Sequence, residues 1–272
     1  MQVALGGIIL DSFSYLFYYF HMVIPLFKTH YSIGKSILTL NCPSKVDKNG
    51  PDSVIDIALD AGLKEVVIIE DSMHGFLETK KRCEENKLKL IFGIRINLCQ
   101  QYEVEKNKVP SHKIVIFAKG DRGVKKLYKI YSKVFCDHGG KITEPDLKKM
   151  WTKKDLMLAI PFYDSFIYQN NLKYGANFMH SFDYYNPIFF LEDNGLPYDN
   201  LLRDAVLDFT ELNKFPTQEV KSIYYRNRKD FTAFQTYKMI TNRNFSKRAS
   251  IKTPQLDGCG SDEFCMESFL EK

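Results

Sequence analysis

The stretch that decides the fold is residues 52–98, DSVIDIALDAGLKEVVIIEDSMHGFLETKKRCEENKLKLIFGIRINL. It predicts a helix over Ser53–Ala61, a buried strand over Glu65–Ile69, an amphipathic helix over Gly75–Asn86 and a second strand over Leu88–Ile96. Short β-branched runs that alternate with charged helical segments are typical of a parallel sheet covered by helices. The stretch therefore predicts two successive helix–strand units of an α/β protein.

The same alternation continues outside this stretch, which predicts a mostly parallel sheet, either open or closed into a barrel. Further strands are predicted at residues 23–27, 113–118, 156–161, 187–191 and 219–225, and further helices at residues 121–136, 145–150, 198–212 and 229–241. In both kinds of sheet, functional residues lie at the carboxyl ends of the strands. The carboxylate pair Glu70–Asp71 and the next strand end, at Arg95, are therefore the first candidates for a site.

Composition limits the class of protein. The 272 residues fit one large domain or two small ones, and 44% of them are hydrophobic, which allows a sizeable core. A balance of 38 basic and 33 acidic residues gives a net charge of +5, which is too weak to indicate nucleic-acid binding by itself. The six cysteines form no C-x-x-C pair. We interpret them as free thiols of a cytoplasmic protein, not as a disulfide framework or a zinc site.

The two ends of the chain differ from its middle. Residues 1–22 are apolar, but no Lys or Arg precedes Lys28, so they do not match a signal peptide. Polar residues interrupt the run, so we predict an extension or an extra packed helix, not a membrane span. We predict one domain over residues 23–245, with Met22 as a natural start. The polar tail, residues 246–272, is predicted to be a linker or a docking segment.

Several short segments, in this order, resemble the polymerase and histidinol phosphatase (PHP) domain. Residues 27–32, FKTHYS, resemble its opening H-x-H-x-x-Y-S motif, residues 71–75, DSMHG, its second motif, and residues 92–95, FGIR, its G-x-E element. Residues 112–134, HKIVIFAKGDRGVKKLYKIYSKV, resemble a stretch of the DNA polymerase III alpha subunit. Residues 221–233 resemble the N-D-V-H-Y segment of that subunit and the helix after it.

The resemblance covers about residues 23–245 and is strongest to the alpha chains of phage-type C-family replicative polymerases. It implies a distorted (β/α)7 barrel of the PHP type, which in active members holds up to three metal ions at the strand ends. It also implies that the tail, residues 246–272, leads towards polymerase domains that this chain lacks. The partners implied are those polymerase domains or other replisome proteins, with DNA as a further candidate and no membrane.

The positions that bind metals in active PHP domains are changed in this chain. Lys28 stands at the first histidine of H-x-H, and Arg95 stands at the glutamate of G-x-E. The Asp-His pair of the second motif falls on Ile69-Glu70 or, if the alignment is shifted, on Asp71-Ser72. The last Asp-x-His pair falls on Ser222 and Tyr224. Only His30 and His112 clearly remain as residual candidate ligands. Cations at two ligand positions would repel a metal ion. We therefore expect no metal cofactor.

The predicted binding pocket combines these positions, and it leaves two functions open. Its members are Lys28, His30, Glu70, Asp71, Arg95, His112, Ser222 and Tyr224. Glu70 and Asp71 are candidate acid–base groups, but we favour a salt-bridge network with Lys28 and Arg95, and either histidine could be purely structural. The first function is a non-catalytic structural or docking domain of a replicative DNA polymerase. The alternative is a metal-dependent phosphoesterase or 3′–5′ exonuclease that would need Zn, Mn or Mg. The number of remaining ligands favours the first.

Overall fold

The computed structural model describes residues 22–41, 50–102, 109–172, 181–241 and 260–271. The predicted extension, apart from Met22, and the first part of the predicted tail lie outside the described residues. Among the described residues, no helix has the length and apolar character needed to cross a membrane.

Strands and helices alternate along the described chain, close to the predicted positions. The strands are β1 Ile24–Phe27, β2 Glu65–Glu70, β3 Lys89–Cys99, β4 Ser111–Ala118, β5 Lys141–Thr143, β6 Leu156–Ile160, β7 Ile188–Leu191 and β8 Thr217–Ile223. The α-helices are α1 Val54–Asp60, α2 Phe76–Glu85, α3 Gly120–Ser132, α4 Glu144–Met150, α5 Phe166–Leu172, α6 Asp199–Asn213, α7 Phe231–Thr241 and α8 Met266–Leu270. Ser53 caps α1 by accepting a hydrogen bond from the Ile55 N–H, as Ser does at a helix start.

Seven of these strands close into a barrel in the order β1–β8–β7–β6–β4–β3–β2, and the β1–β2 pairing completes the ring. Neighbouring strands are parallel, except that β4 runs antiparallel to both β3 and β6. The short strand β5 pairs with the far end of β3 and extends the sheet outside the ring. The predicted distorted barrel of seven strands surrounded by helices is therefore confirmed.

Side chains from alternate strand positions fill the barrel interior, as the two-residue period of a strand requires. These buried side chains are Leu26, Val67, Ile69, Ile91, Val115, Phe117, Met157, Ala159, Ile188, Phe190 and Val220. Gly93 provides the space for the largest of them, because a Cβ at this position would lie 2.8 Å from the Phe117 ring. A larger core cluster packs the outer side of the sheet against the helices.

Residues 260–271, which we call the tail segment, pack against the end of β8. The Tyr224 N–H donates to the Phe264 carbonyl at 2.9 Å, and Tyr225 and Cys265 form an isolated parallel bridge. Phe264 and Cys265 are almost fully buried. Of the two predicted roles for the tail, this contact matches docking, and it adds α8, which the sequence analysis does not predict. The domain boundaries themselves stay predictions.

One arginine links the tail segment to the barrel by charge. The Arg228 guanidinium contacts Glu263 at 3.0 Å and Glu271 at 2.6 Å, and its backbone N–H donates to Glu267 at 2.9 Å. Because these carboxylates all lie on the tail segment, Arg228→Gln is expected to loosen it and to speed alkylation of the buried Cys265. Site-resolved mass spectrometry after iodoacetamide treatment measures this, with the exposed Cys136 as internal reference and Lys229→Gln as control. Equal Cys265 labelling in both variants would contradict the role of Arg228.

Candidate functional site

The barrel interior changes from apolar to polar at one end, which we call the mouth. Along a strand, every second side chain points to the same side. The side chain two positions after the last apolar interior residue of a strand therefore also points towards the barrel axis. On the antiparallel β4 the equivalent residue comes before the apolar ones. The residues so placed are Lys28 after β1, Asp71 after β2, Lys113 on β4, Glu192 after β7 and Ser222 on β8, while on β3 Arg95 follows the inward-facing Gly93. A ring of charged and polar side chains therefore surrounds the mouth.

A cavity of about 220 Å³ lies inside this ring. Its walls are both charged and aromatic. The lining side chains that the following argument uses are Lys28, Lys35, Arg95, Asp164, Glu192, Ser222, Tyr224, Lys238 and Phe264. Four of the predicted pocket residues, Lys28, Arg95, Ser222 and Tyr224, therefore meet at this cavity.

Lys28 and Asp71 form an ion pair at the rim. The Lys28 Nζ donates to Asp71 Oδ1 at 3.2 Å, and Lys28 is only 4% exposed. Burial raises the pKa of Asp71, but the charges of Lys28, Arg95 and other nearby cations outweigh it and hold this pKa well below its usual range. Asp71 therefore stays ionised at neutral pH and has no proton to give as a general acid.

Glu70 lies on the other side of the strand and does not open into the cavity. Its Oε1 accepts from the Thr29 N–H at 2.9 Å and from the Thr29 hydroxyl at 2.6 Å, and its Oε2 accepts from the Ser32 hydroxyl. Burial raises the pKa of Glu70, and these hydrogen bonds offset part of the rise. Glu70 pairs with neither Lys28 nor Arg95. It anchors the turn that carries Lys28 and Lys35.

Arg95 pairs with a carboxylate that the sequence analysis does not identify. Its Nη2 donates to Asp164 Oδ2 at 2.6 Å, and the Arg95 side chain is 12% exposed. Asp164 follows β6 in a left-handed conformation with φ of 63°, and its carbonyl accepts from the Lys113 N–H at 2.8 Å. Asp and Asn adopt this conformation more readily than most residues. The predicted salt-bridge network is therefore present, with Asp71 and Asp164 as its carboxylates.

Glu192 is a third carboxylate of the mouth, and sequence reasoning also missed it. It accepts from the Ser222 N–H and the Ser222 hydroxyl, both at 3.1 Å, and from the Asn194 amide at 2.9 Å. Burial raises the pKa of Glu192 in spite of these bonds. Burial, together with the Glu192 charge, also raises the pKa of Tyr224 to about 12. The Tyr224 ring is stacked between Phe234 and Phe264, with centroid distances of 5.7 and 5.3 Å.

Two further lysines complete the charge pattern. Lys113 projects from β4 towards the mouth, where burial and the nearby Arg95 lower its pKa to about 8. Burial, with Arg95 and Lys28, also lowers the pKa of Lys35. Among the described residues, neither ammonium group forms an ion pair. Counting two residues back from Val115 along β4 would have identified Lys113 from the sequence.

The structure does not bring the two predicted histidines to the cavity. His112 is buried on the outer side of β4, with its ring 5.4 Å from Phe166 and 6.3 Å from Phe182. It faces away from the cavity because it neighbours the inward-facing Lys113, and successive strand residues face opposite sides. His30 is exposed on the turn after β1, with its ring 4.4 Å from that of Tyr31.

The donors present at the mouth do not fit a metal cluster. Within the described ranges, no group of three or more His, Cys, Asp or Glu side chains is arranged to hold a metal ion. Asp71 and Asp164 each already contact a side-chain cation, and a divalent ion would meet repulsion from Lys28 and Arg95. The arrangement is suited instead to binding a negatively charged group.

Comparisons with known proteins identify part of this barrel. Residues 47–164, less than half of the chain, match the family model of the PHP domain. The resemblance to the PHP domain is therefore confirmed for this segment, which includes strands β2 to β6. The finer resemblance to the DNA polymerase III alpha subunit stays a prediction.

Solved structures and curated proteins add little to this assignment. The chain is similar to a candidate metal-dependent phosphoesterase from Bifidobacterium adolescentis, with 16% sequence identity, coverage of 47% of this chain and 43% of that one, and a TM-score of 0.22. The match thus spans less than half of that protein. No curated protein matches the chain.

Proposed function

We propose that this chain is a non-catalytic PHP-type domain of a DNA polymerase III alpha-like replicative polymerase, with a structural or docking role in DNA replication. The observation that carries the proposal is the pair of ion pairs at the mouth, Lys28–Asp71 and Arg95–Asp164. Both cations stand at positions where active PHP domains have metal ligands. The match of residues 47–164 to the PHP family model supports the domain type.

Side-chain cations can replace the charge neutralisation that a metal centre provides, but not its activation of a water molecule. An ammonium or guanidinium group neutralises nearby carboxylates and so stabilises the end of the barrel. It does not lower the pKa of a bound water molecule to produce a nucleophile, as a catalytic metal does. The mouth therefore keeps a packed barrel end, held by two ion pairs, that is suited to a structural role. The polymerase assignment rests on the order of the five sequence segments described above.

Metal content and hydrolysis test the non-catalytic part of this proposal. The purified chain, expressed with added Zn and Mn, is expected to contain substoichiometric metal by elemental analysis. It is also expected to show no turnover of p-nitrophenyl phosphate or of a single-stranded oligonucleotide. The double variant Lys28→His/Arg95→Glu, which restores two ligand types, is the matched comparison and should retain more metal than the parent chain. Stoichiometric metal together with turnover in the parent chain would instead establish the phosphoesterase alternative.

The docking part needs a separate measurement. A tagged chain expressed at its native level should co-purify with a polymerase polypeptide in a fixed stoichiometry, as judged by mass spectrometry and size-exclusion chromatography. A chain that elutes alone under these conditions would contradict the docking role, whatever its metal content.

A further inference from the structure

We propose that the outer surface formed by α3, α4 and the turn before β6, residues 151–155, binds a single strand of nucleic acid through its phosphate backbone. This surface begins at the end of the barrel opposite the mouth. It therefore goes beyond the structural role proposed above and uses none of the mouth residues. Its basis is a concentration of positive charge beside an exposed aromatic ring.

Positive charge is concentrated in one segment of the chain. Residues 119–155 contain eleven lysines and arginines and five carboxylates, which gives the segment a net charge of +6, whereas the whole chain carries +5. All of these residues are described, and each of the eleven cationic side chains is at least partly exposed. The rest of the chain is therefore slightly acidic, and the weak net charge of the whole chain does not reveal this local excess.

Contacts between α3 and the turn before β6 bring these cations onto one surface. The Lys119 side chain donates to the Lys153 carbonyl at 3.1 Å. Arg122 and Lys126, on α3, contact the Asp155 carboxylate at 3.6 and 3.4 Å. Because β4 runs antiparallel to β6, the start of α3 and the turn before β6 both lie at the barrel end opposite the mouth. We call the surface formed by α3, α4 and this turn the basic face.

The carboxylates of the basic face do not neutralise all of its cations. Asp155 is buried against Arg122 and Lys126, and Asp146 contacts Lys149 at 2.9 Å. The exposed cations that form no ion pair within the described part of the chain are Lys125, Lys129, Lys148, Lys153 and Lys154. A nucleic-acid strand presents a row of phosphates, and lysines that neutralise them release the counterions of the strand. The charge of the basic face is therefore complementary to such a strand.

An aromatic ring among these cations favours a single strand over a duplex. Tyr184 is 38% exposed, and the Lys148 and Lys153 ammonium groups lie 4.8 and 5.2 Å from the centre of its ring. The Tyr185 ring packs edge-on against Tyr184 at 5.2 Å and against Trp151 at 5.0 Å, which fixes the position of the exposed ring. Unpaired bases stack on exposed rings, while neighbouring cations follow the backbone. The bases of a duplex are already stacked and would gain little from Tyr184.

Fluorescence anisotropy with the full chain and a labelled oligothymidylate of about 20 nucleotides, in EDTA and at several salt concentrations, tests the basic face. Binding should be detected and should weaken steeply as salt rises. Lys125→Gln/Lys153→Gln should weaken binding about tenfold at low salt and should reduce the slope of log affinity against log salt by about 1.4, or about 0.7 for each lost phosphate contact. The control Lys64→Gln/Lys229→Gln removes two exposed lysines outside the basic face and should change neither quantity.

Tyr184→Leu separates base stacking from charge. This variant keeps every cation, so the salt dependence of binding should not change. The affinity for the single strand should fall several-fold, because the stacking surface is lost. The affinity for a blunt duplex of the same length should stay the same, and it should be lower than that for the single strand.

The outcomes distinguish this inference from the proposed function. No binding, or equal weakening in the two double lysine variants, would overturn the basic face as a nucleic-acid site. Neither result would alter the metal content or the co-purification by which the proposed function is tested. Competition by polyglutamate as strong as that by unlabelled oligonucleotide would show a general surface for polyanions, such as acidic proteins, and would also overturn the inference. A duplex that binds as tightly as the single strand, with no effect of Tyr184→Leu, would overturn the preference for a single strand.

Discussion

Replacing Glu70 with alanine is expected to lower the free energy of unfolding by about 3 kcal/mol or more, because three buried donors lose their acceptor at a cost of about 1–3 kcal/mol each. Glu70 is 1% exposed and accepts three hydrogen bonds from Thr29 and Ser32. The variant leaves those donors buried without an acceptor, which carries most of the cost. It also frees the turn that positions Lys28 and Lys35. Urea denaturation followed by circular dichroism measures the change.

Two variants make this result specific. Glu65→Ala removes a carboxylate from the same strand, but Glu65 is partly exposed and its ion pair within the described part of the chain is with Lys89, so its loss should cost about 1 kcal/mol or less. Glu70→Gln keeps one carbonyl oxygen for Thr29 and should fall between the two. If Glu70→Ala and Glu65→Ala destabilise equally, the hydrogen bonds to Glu70 do not hold the turn.

Replacing Arg95 with methionine is expected to destabilise the barrel by about 2 kcal/mol. This is less than the range for a fully buried pair, because the Asp164 side chain is 37% exposed and solvent replaces part of the lost interaction. Removing Arg95 also relieves repulsion on Lys113, which offsets some of the loss. For a chain of this size the melting temperature should fall by about 4–8 °C.

A double-mutant cycle with Asp164→Asn isolates the ion pair. Asn removes the charge but tolerates the left-handed backbone at this position, so the cycle does not add strain. The double variant should lose at least about 1 kcal/mol less than the sum of the single variants, as contacting residues do. Additive losses would contradict a direct stabilising interaction between Arg95 and Asp164.

The fold could be predicted from the sequence because the strands are short apolar runs whose pattern reports their burial. The predicted strand at residues 113–118 is observed as Ser111–Ala118, and that at residues 187–191 as Ile188–Leu191. The three-residue strand β5 was missed because it is too short to show any period. The helix α8 was missed because its docking depends on contacts with Tyr225, far away in the sequence.

The site could be predicted only in part. Lys28, Arg95, Ser222 and Tyr224 were identified because motif positions and strand ends coincide there. Asp164 could not be, because its contact with Arg95 depends on a left-handed turn after β6.

The assignment of side chains to the two faces of a strand explains the remaining differences. The alternation of β2 places Glu70 with Ile68 on the helix-facing side and leaves Asp71 to face the mouth. The antiparallel direction of β4 moves its contribution to the start of the strand, where Lys113 faces inward and His112 outward. Strand positions were therefore easier to predict than the direction in which each side chain points.

The aromatic packing inside the barrel determines whether a ligand could pass through it. Phe117 and Phe190, whose ring centroids are 6.3 Å apart, fill the interior beneath the charged ring, and Gly93 makes room for the first of them. The barrel interior is therefore closed below the mouth by these side chains. A ligand bound at the mouth could therefore not pass through the barrel, and Phe264 of the tail segment lines the cavity that it would occupy. The residence time of such a ligand would then depend on how firmly Arg228 holds that segment in place.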